Sequence, residues 1–287
     1  MTRALLCETV TGRTMGELIA ARDAPSSADM VELRLDGVNR CDAARALEGR
    51  SRPAIVTCRP LWEGGQFNGP DEERRGMLAE ALSRGAEYVD IEWRALSAGG
   101  GRGVLDDLLD AHRERIVLSS HDFGRVPDDL PARAAAMRTT GAAVIKIAVA
   151  VRRLTETLAL REIAKGHDDA VVIGMGDAGL PTRLLATRFQ SRWTYGGNAV
   201  APGQMPIAAM VSDFRFREIG PRTALYGFVS ATAASRMAAV LNGAFSAGGM
   251  DAVCVPLAGA DEADVKTFTD ALEFAGVMKG VDAHHHL

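Results

Sequence analysis

The sequence predicts an α/β protein, a (β/α)8 TIM barrel with a small C-terminal βαβα appendage, and three observations carry that prediction. Short apolar runs alternate with amphipathic segments across residues 4–217. Several runs are apolar at nearly every position, as in Ala-Val-Val-Ile-Gly-Met at 170–175. Eight such units can be read in that span. Strands covered by helices on both faces have this composition, and eight strand–helix units of this total length suit a closed barrel. A doubly wound open sheet is the competing architecture. The first strand is followed by Thr-Gly-Arg-Thr around Gly12 and not by GxGxxG, so a dinucleotide fingerprint is absent.

The predicted strands are Ala4–Val10, Met30–Leu35, Ala54–Cys58, Tyr88–Glu92, Ile116–Ser120, Val144–Val149, Val171–Met175 and Trp193–Gly196. The predicted helices between and after them are Met15–Arg22, Ala43–Glu48, Asp71–Arg84, Leu105–Arg113, Leu130–Thr140, Thr155–Lys165, Leu180–Phe189 and Ile207–Arg217. Each rests on apolar residues three and four apart, such as Leu180, Leu184, Leu185 and Phe189. Pro70 and Pro206 stand near helix starts, where a missing N–H is tolerated. Beyond Gly220-Pro221 the pattern becomes strand Ala224–Val229, helix Ser235–Ala247, strand Ala252–Leu257 and helix Ala263–Ala275. Residues 1–220 therefore read as a barrel domain and 221–287 as a tail too small to bury much core alone. The tail is expected to pack on the barrel or on another subunit.

Composition narrows the function. The chain has 287 residues, 47% hydrophobic and 24% charged, with a net charge of −4, which argues against nucleic-acid or polybasic membrane binding. Cys7, Cys41, Cys58 and Cys254 form no CxxC pair and read as free thiols in a reducing cytoplasm. No signal-peptide core and no run of 18 apolar residues occurs. His284, His285 and His286 read as a solvated terminal run.

Barrel enzymes place their working groups at the carboxyl ends of the strands. Those ends carry Thr9, Glu32, Arg34, Arg59, Glu63, Asp90, Glu92, His121, Lys146, Met175, Arg183 and, after the eighth strand, Gln204. Lys146 is the sharpest signal, one of four lysines, set inside Ala-Val-Ile-Lys-Ile-Ala-Val. It could snorkel to solvent or pair with a carboxylate. Pointed into the barrel, its amine would be enclosed near Arg34 and Arg59, both expected to favour the uncharged, nucleophilic form. His121 is either a loop histidine bonded to Asp122 or a general acid and base whose ring Glu63 orients. Arg34, Arg59 and Arg183 suggest an anionic substrate, since guanidinium forks match carboxylates. Glu32 and Asp90 could be partners of those arginines, and Glu32 also suits hydroxyl recognition. No zinc spacing or P-loop is present.

At these positions the chain resembles the type I 3-dehydroquinate dehydratases over roughly Ala4–Arg217. The matching stretches are Cys7–Thr14, Val31–Asp36, Thr57–Gly65, Tyr88–Glu92, Ser119–Phe123, Ile145–Ala148 and Ala201–Gln204. The resemblance implies a hydro-lyase of the shikimate pathway or of quinate breakdown, with 3-dehydroquinate as substrate and no metal or organic cofactor. It implies that Lys146 forms an imine, that His121 shuttles the proton, and that Glu32, Arg34, Arg59, Arg183 and Gln204 bind substrate, with Arg183 near its carboxylate. Thr9 stands where the family often has serine, Asp90 and Met175 would support the site from behind, and a homodimer is implied. Val200 or Ala201 replaces a common serine, which puts affinity more than chemistry in question. The tail resembles the start of a shikimate dehydrogenase substrate domain, with its serine-rich motif reduced to Ala-Ala-Ser-Arg-Met around Ser235. Dehydrogenase activity is not expected, because the chain ends before that family's catalytic lysine. A vestigial, packing or dimerising role is expected instead, with a small regulatory binding role as the alternative. Another class I Schiff-base lyase, or a metabolite sensor resembling part of the fungal quinate repressor, is the alternative function.

Overall fold

The computed structural model describes residues 3–96, 103–197, 203–230, 236–259 and 261–279. Ser235 and His284–His286 lie outside the described residues. In chain order the first elements are β1 (Leu5–Val10), α1 (Met15–Asp23), β2 (Met30–Arg34), α2 (Ala43–Leu47), β3 (Ala54–Thr57), α3 (Asp71–Ser83), β4 (Tyr88–Glu92) and α4 (Asp106–His112). Then come β5 (Ile116–Asp122), α5 (Leu130–Thr139), β6 (Val144–Ala150), α6 (Thr157–Ala164), β7 (Ala170–Met175), α7 (Leu180–Leu184), β8 (Trp193–Gly196) and α8 (Ile207–Ser212). The tail holds β9 (Ala224–Ser230), α9 (Met237–Ala247), β10 (Ala252–Ala258), α10 (Glu262–Ala271) and β11 (Gly276–Lys279).

The first eight strands form one parallel sheet in the order β7-β6-β5-β4-β3-β2-β1-β8. Its two ends meet without a regular ladder. Arg192 N–H donates to Ala170 O (2.8 Å), and the Ser191 hydroxyl accepts from Val172 N–H (3.1 Å) while donating to Trp193 O (2.8 Å). One side-chain oxygen thus stands where strand pairing would otherwise close the ring.

Alternation along each strand separates two cores. On β6, Ile145, Ile147 and Val149 face the helices in the outer core, whereas Val144 and Ala148 join Cys7, Ile55, Val117, Val171 and Trp193 inside the barrel. Lys146 lies between Val144 and Ala148 on the inner face and is only 6% exposed. The apolar run that makes β6 recognisable is therefore two faces superposed.

Local chemistry explains most boundaries. The Thr14 side chain accepts from Glu17 N–H at the start of α1, and Asp42 does the same for Arg45 N–H at α2. Three predicted barrel helices lose two or more residues at one end. α7 ends at Leu184, because the chain turns through Gln190 at φ 54° to feed Ser191 into the seam. α8 ends at Ser212, with Arg215 in a left-handed conformation (φ 51°) before a 3-10 turn at Phe216–Glu218. α6 starts at Thr157, after a 3-10 turn at Leu154–Glu156.

The tail is βαβαβ, one strand longer than the βαβα predicted. α10 ends at Ala271, Glu273 turns back at φ 58°, and β11 follows. Its parallel sheet has the order β10-β9-β11. It packs on the last three barrel units: Arg161 donates to Ala271 O (2.9 Å), Arg188 to Thr223 O (2.6 Å), and Asn242 to Asp213 O (2.8 Å). No described helix is long and apolar enough to cross a membrane.

Candidate active site

The strand ends enclose a cavity of about 120 Å³ that is lined by Lys146, His121, Glu63, Thr9, Glu32, Arg34, Arg59, Arg183 and Gln204, together with Met175, Tyr195 and Phe123. All nine residues expected to catalyse or to bind substrate border this one space. Met175, expected behind the site, lines the cavity itself. Val200 and Ala201 lie outside the described residues.

Lys146 Nζ donates to Glu32 Oε1 and to Asp90 Oδ2, each at 3.1 Å, and sits 4.3 Å from the centre of the Tyr195 ring. This corrects the expected electrostatics. The groups touching the amine are carboxylates, and the two arginines expected to crowd it are themselves paired with carboxylates. Arg34 forks onto Asp36 with two bonds of 2.8 Å, and Arg59 is held by Asp90 (2.8 Å) and Glu92 (2.7 Å). Among the described residues Glu32 pairs with no arginine; it accepts from Thr9 (3.2 Å) and Thr57 (3.0 Å) as well as from Lys146. Burial alone would raise Asp90, but Arg59 and Lys146 hold it well below the usual carboxylate range.

The ion pairs extend beyond the cavity. Arg74, fully buried on α3, bonds Glu92 and also donates to Cys58 O (3.0 Å). The result is one buried chain of alternating charge, Arg74–Glu92–Arg59–Asp90–Lys146–Glu32, to which the half-exposed Asp71 is added through Arg74. Among the buried members, three cations balance three carboxylates only while Lys146 carries its proton. Removing one member of a buried pair is more damaging than never having built it, because the survivor stays desolvated. Arg74→Leu should therefore cost about 3–5 kcal/mol, seen as a lower urea midpoint with an unchanged slope. A midpoint equal to wild type would show that Glu92 is adequately held by Arg59 alone.

His121 ends β5. Glu63 Oε1 accepts from the His121 backbone N–H (2.8 Å) and lies 3.3 Å from ring Nδ1. A proton on Nδ1 satisfies that carboxylate and leaves Nε2 as the acceptor. Burial, then Arg59 and Lys146, push the imidazole well below its ordinary range, so it is neutral at pH 7. Burial pushes Glu63 up to about 6. Glu63 arrives on a tight turn that requires Gly64 and Gly65. Gly64 is left-handed (φ 78°) with the Phe123 ring 2.5 Å from where a Cβ would stand, and a Cβ on Gly65 would strike Arg59 O at 2.0 Å. The Phe123 ring in turn lies nearly parallel to His121, 6.1 Å away between centres.

Arg183, in the short α7, donates to Tyr195 O (3.2 Å), and burial brings its guanidinium down to about 10, still charged at neutral pH. Gln204 donates to Thr9 Oγ1 (3.2 Å). Tyr195 and Arg74 were not expected from the sequence. Inward alternation from Trp193 would have placed Tyr195 in the barrel, whereas nothing in the polar α3 segment distinguishes Arg74 from its solvent-facing neighbours.

The comparisons agree with this architecture. The family model of type I 3-dehydroquinase matches residues 6–221. A 3-dehydroquinate dehydratase of Methanothrix thermoacetophila is 36% identical over 210 residues, covering 72% of this chain and 88% of its own length. A bifunctional 3-dehydroquinate dehydratase/shikimate dehydrogenase of Arabidopsis thaliana is 29% identical over 242 residues. That match covers 79% of this chain and 39% of the plant protein, so the chain spans about two fifths of that relative. A solved structure of dehydroquinate dehydratase and shikimate dehydrogenase from S. pombe shares the fold over 98% of this chain and 57% of its own, with a TM-score of 0.59 at 18% identity. With most of the barrel matched by the family model, the chain belongs to the type I 3-dehydroquinase family.

Proposed function

We propose that this protein is a 3-dehydroquinate dehydratase that works through a lysine imine. The observation that carries the reading is the amine of Lys146, buried and held by two carboxylates in the same cavity as a neutral imidazole braced by Glu63. Lys146 passes its proton to a neighbouring base and attacks the C3 ketone, and loss of water gives a protonated imine. That cation takes the place of the ammonium between Glu32 and Asp90, so the buried charges balance again. Electrostatic partners fixed in advance for a charge that forms during reaction are the largest catalytic resource of most sites.

The iminium acts as an electron sink and acidifies the proton on C2. His121 removes that proton to give an enamine, then returns it to the departing C1 hydroxyl. Hydrolysis of the product imine releases 3-dehydroshikimate and restores Lys146, so the net change is loss of one water. Arg183 takes the substrate carboxylate, Arg34 and Arg59 offer N–H donors at the cavity wall, and Thr9, Glu32 and Gln204 meet its hydroxyls. The reading places the enzyme in the cytoplasm, where the free thiols of Cys7, Cys41, Cys58 and Cys254 persist. It acts there as a homodimer, in aromatic amino acid biosynthesis or quinate breakdown.

The test is direct. Purified protein mixed with 3-dehydroquinate should produce the ultraviolet absorbance of the conjugated enone product at a rate proportional to enzyme. No absorbance change with fresh substrate and folded protein would refute the assignment.

A further inference from the structure

The tail touches the barrel most closely where the barrel's own site loops begin. Asp264, in the first turn of α10, is a carboxylate only 4% exposed, and no described lysine or arginine bonds it from within the tail. Its partners lie about 110 residues earlier, in the loop after β6. It accepts from Leu154 N–H (2.8 Å), Thr155 N–H (3.1 Å), the Thr155 hydroxyl and Arg153 Nε (3.3 Å). A buried carboxylate satisfied by adjacent backbone N–H groups acts as a fixed cap on that turn. Asp261, the N-cap of α10 three residues earlier, reinforces the grip through Arg153 Nη2 (2.8 Å).

The clamped turn is coupled to the cavity. Val151, three residues upstream of Leu154, is buried and donates its N–H to Met175 O (3.1 Å), and Met175 lines the cavity. Val151 also packs against Gly174, whose N–H donates to the Thr182 hydroxyl (2.9 Å), and Thr182 immediately precedes Arg183. A second contact reaches the same place from outside, because β10 packs on α7 and on the 3-10 turn Asp177–Gly179. Arg183 stands on a helix of only five residues, so its position depends on what holds that helix from either side.

We propose that the three-stranded tail is an intramolecular brace, with Asp264 as a positioning residue that fixes the loop after β6 and, through it, the turn presenting Arg183. The effect on substrate binding rests on the dehydratase reading above; the mechanical coupling does not.

The experiment compares wild type with Asp264→Ala, Asp264→Asn and Thr155→Val by hydrogen exchange of the unliganded proteins and by steady-state kinetics. Asp264→Ala should accelerate exchange at residues 151–156 and 176–183 while β2 and β3 stay protected. It should raise KM about 10-fold or more, the scale of a sub-ångström misplacement of a binding group, and change kcat less than about 3-fold. Borohydride trapping at saturating substrate should remain complete. Asp264→Asn, which keeps one acceptor oxygen, should fall between wild type and Asp264→Ala. Faster exchange with unchanged KM would overturn the positioning role, and unchanged exchange would overturn the brace. Should the Asp264 variants not fold, Thr155→Val decides by the same two readouts. A wild type inert toward 3-dehydroquinate would sink the dehydratase reading, while the exchange rates would still decide the brace.

Discussion

Lys146→Ala should lower kcat by roughly 10⁶-fold, the scale on which enzymes lose rate when a covalent nucleophile is deleted. Mass spectrometry after borohydride reduction with substrate should find no adduct on that variant and a single adduct on Lys146 of wild type. Lys146→Arg supplies the necessary contrast. Arginine keeps a cation between Glu32 and Asp90, so the six-member charge chain stays balanced, but a guanidinium cannot form the imine. It should be as inactive as the alanine variant and more stable than it, since alanine leaves buried Glu32 without its cation and Asp90 with Arg59 alone. Measurable turnover by either variant would show that the chemistry does not pass through this amine.

His121→Ala should separate the two halves of the reaction. Imine formation needs the lysine, so trapping should persist, while kcat falls by about 10²–10⁴-fold, the contribution of a positioned general base. The pH profile gives a sharper test. The imidazole is pushed well below its ordinary range, so it remains a base throughout the neutral region. Glu63, raised to about 6, is the group that titrates there. As pH falls through about 6, Glu63 gains a proton and ceases to be the anionic acceptor for Nδ1, so kcat/KM should drop.

The same shift has a stability consequence of defined sign. A carboxyl whose folded value lies above its unfolded one binds protons more readily when folded. Its contribution is therefore present at low pH and lost as pH rises through about 6. Glu63→Gln should be more stable than wild type at pH 8, by on the order of 1–2 kcal/mol, and about equal to it at pH 5. It should also lack the acidic limb in kcat/KM. A limb that persists in Glu63→Gln would belong to another group.

Much of this site could be read before any coordinates. A charged residue within an apolar strand is conspicuous, and the barrel's two-faced strands turn that oddity into an inward placement for Lys146. Carboxyl-end residues of eight strands converge by topology, which is why Thr9, Arg183 and Gln204, far apart in sequence, border one cavity. What sequence could not supply was pairing. Arg34 chose Asp36, two residues away, over Glu32, because the strand ends at Arg34 and lets its side chain fold back. Arg74 reaches inward from a helix whose other charges face solvent, and helical spacing alone does not say which arginine is buried. The missed β11 has a similar cause: helical periodicity ran on to Ala275, and only the left-handed Glu273 marks the reversal.

The ring's irregular seam bears on how the molecule assembles. β1 to β7 can zip together in chain order, each joining a neighbour close in sequence. β8 must instead find β1 across nearly the whole barrel and meets β7 through the Ser191 hydroxyl. Long-range closures of this kind come late, since their entropy is lost before contacts repay it. β8 also delivers the aromatic ring that faces the Lys146 amine. A nascent or partly opened chain would then hold its reactive nitrogen without that wall, and competence would arrive with the last strand.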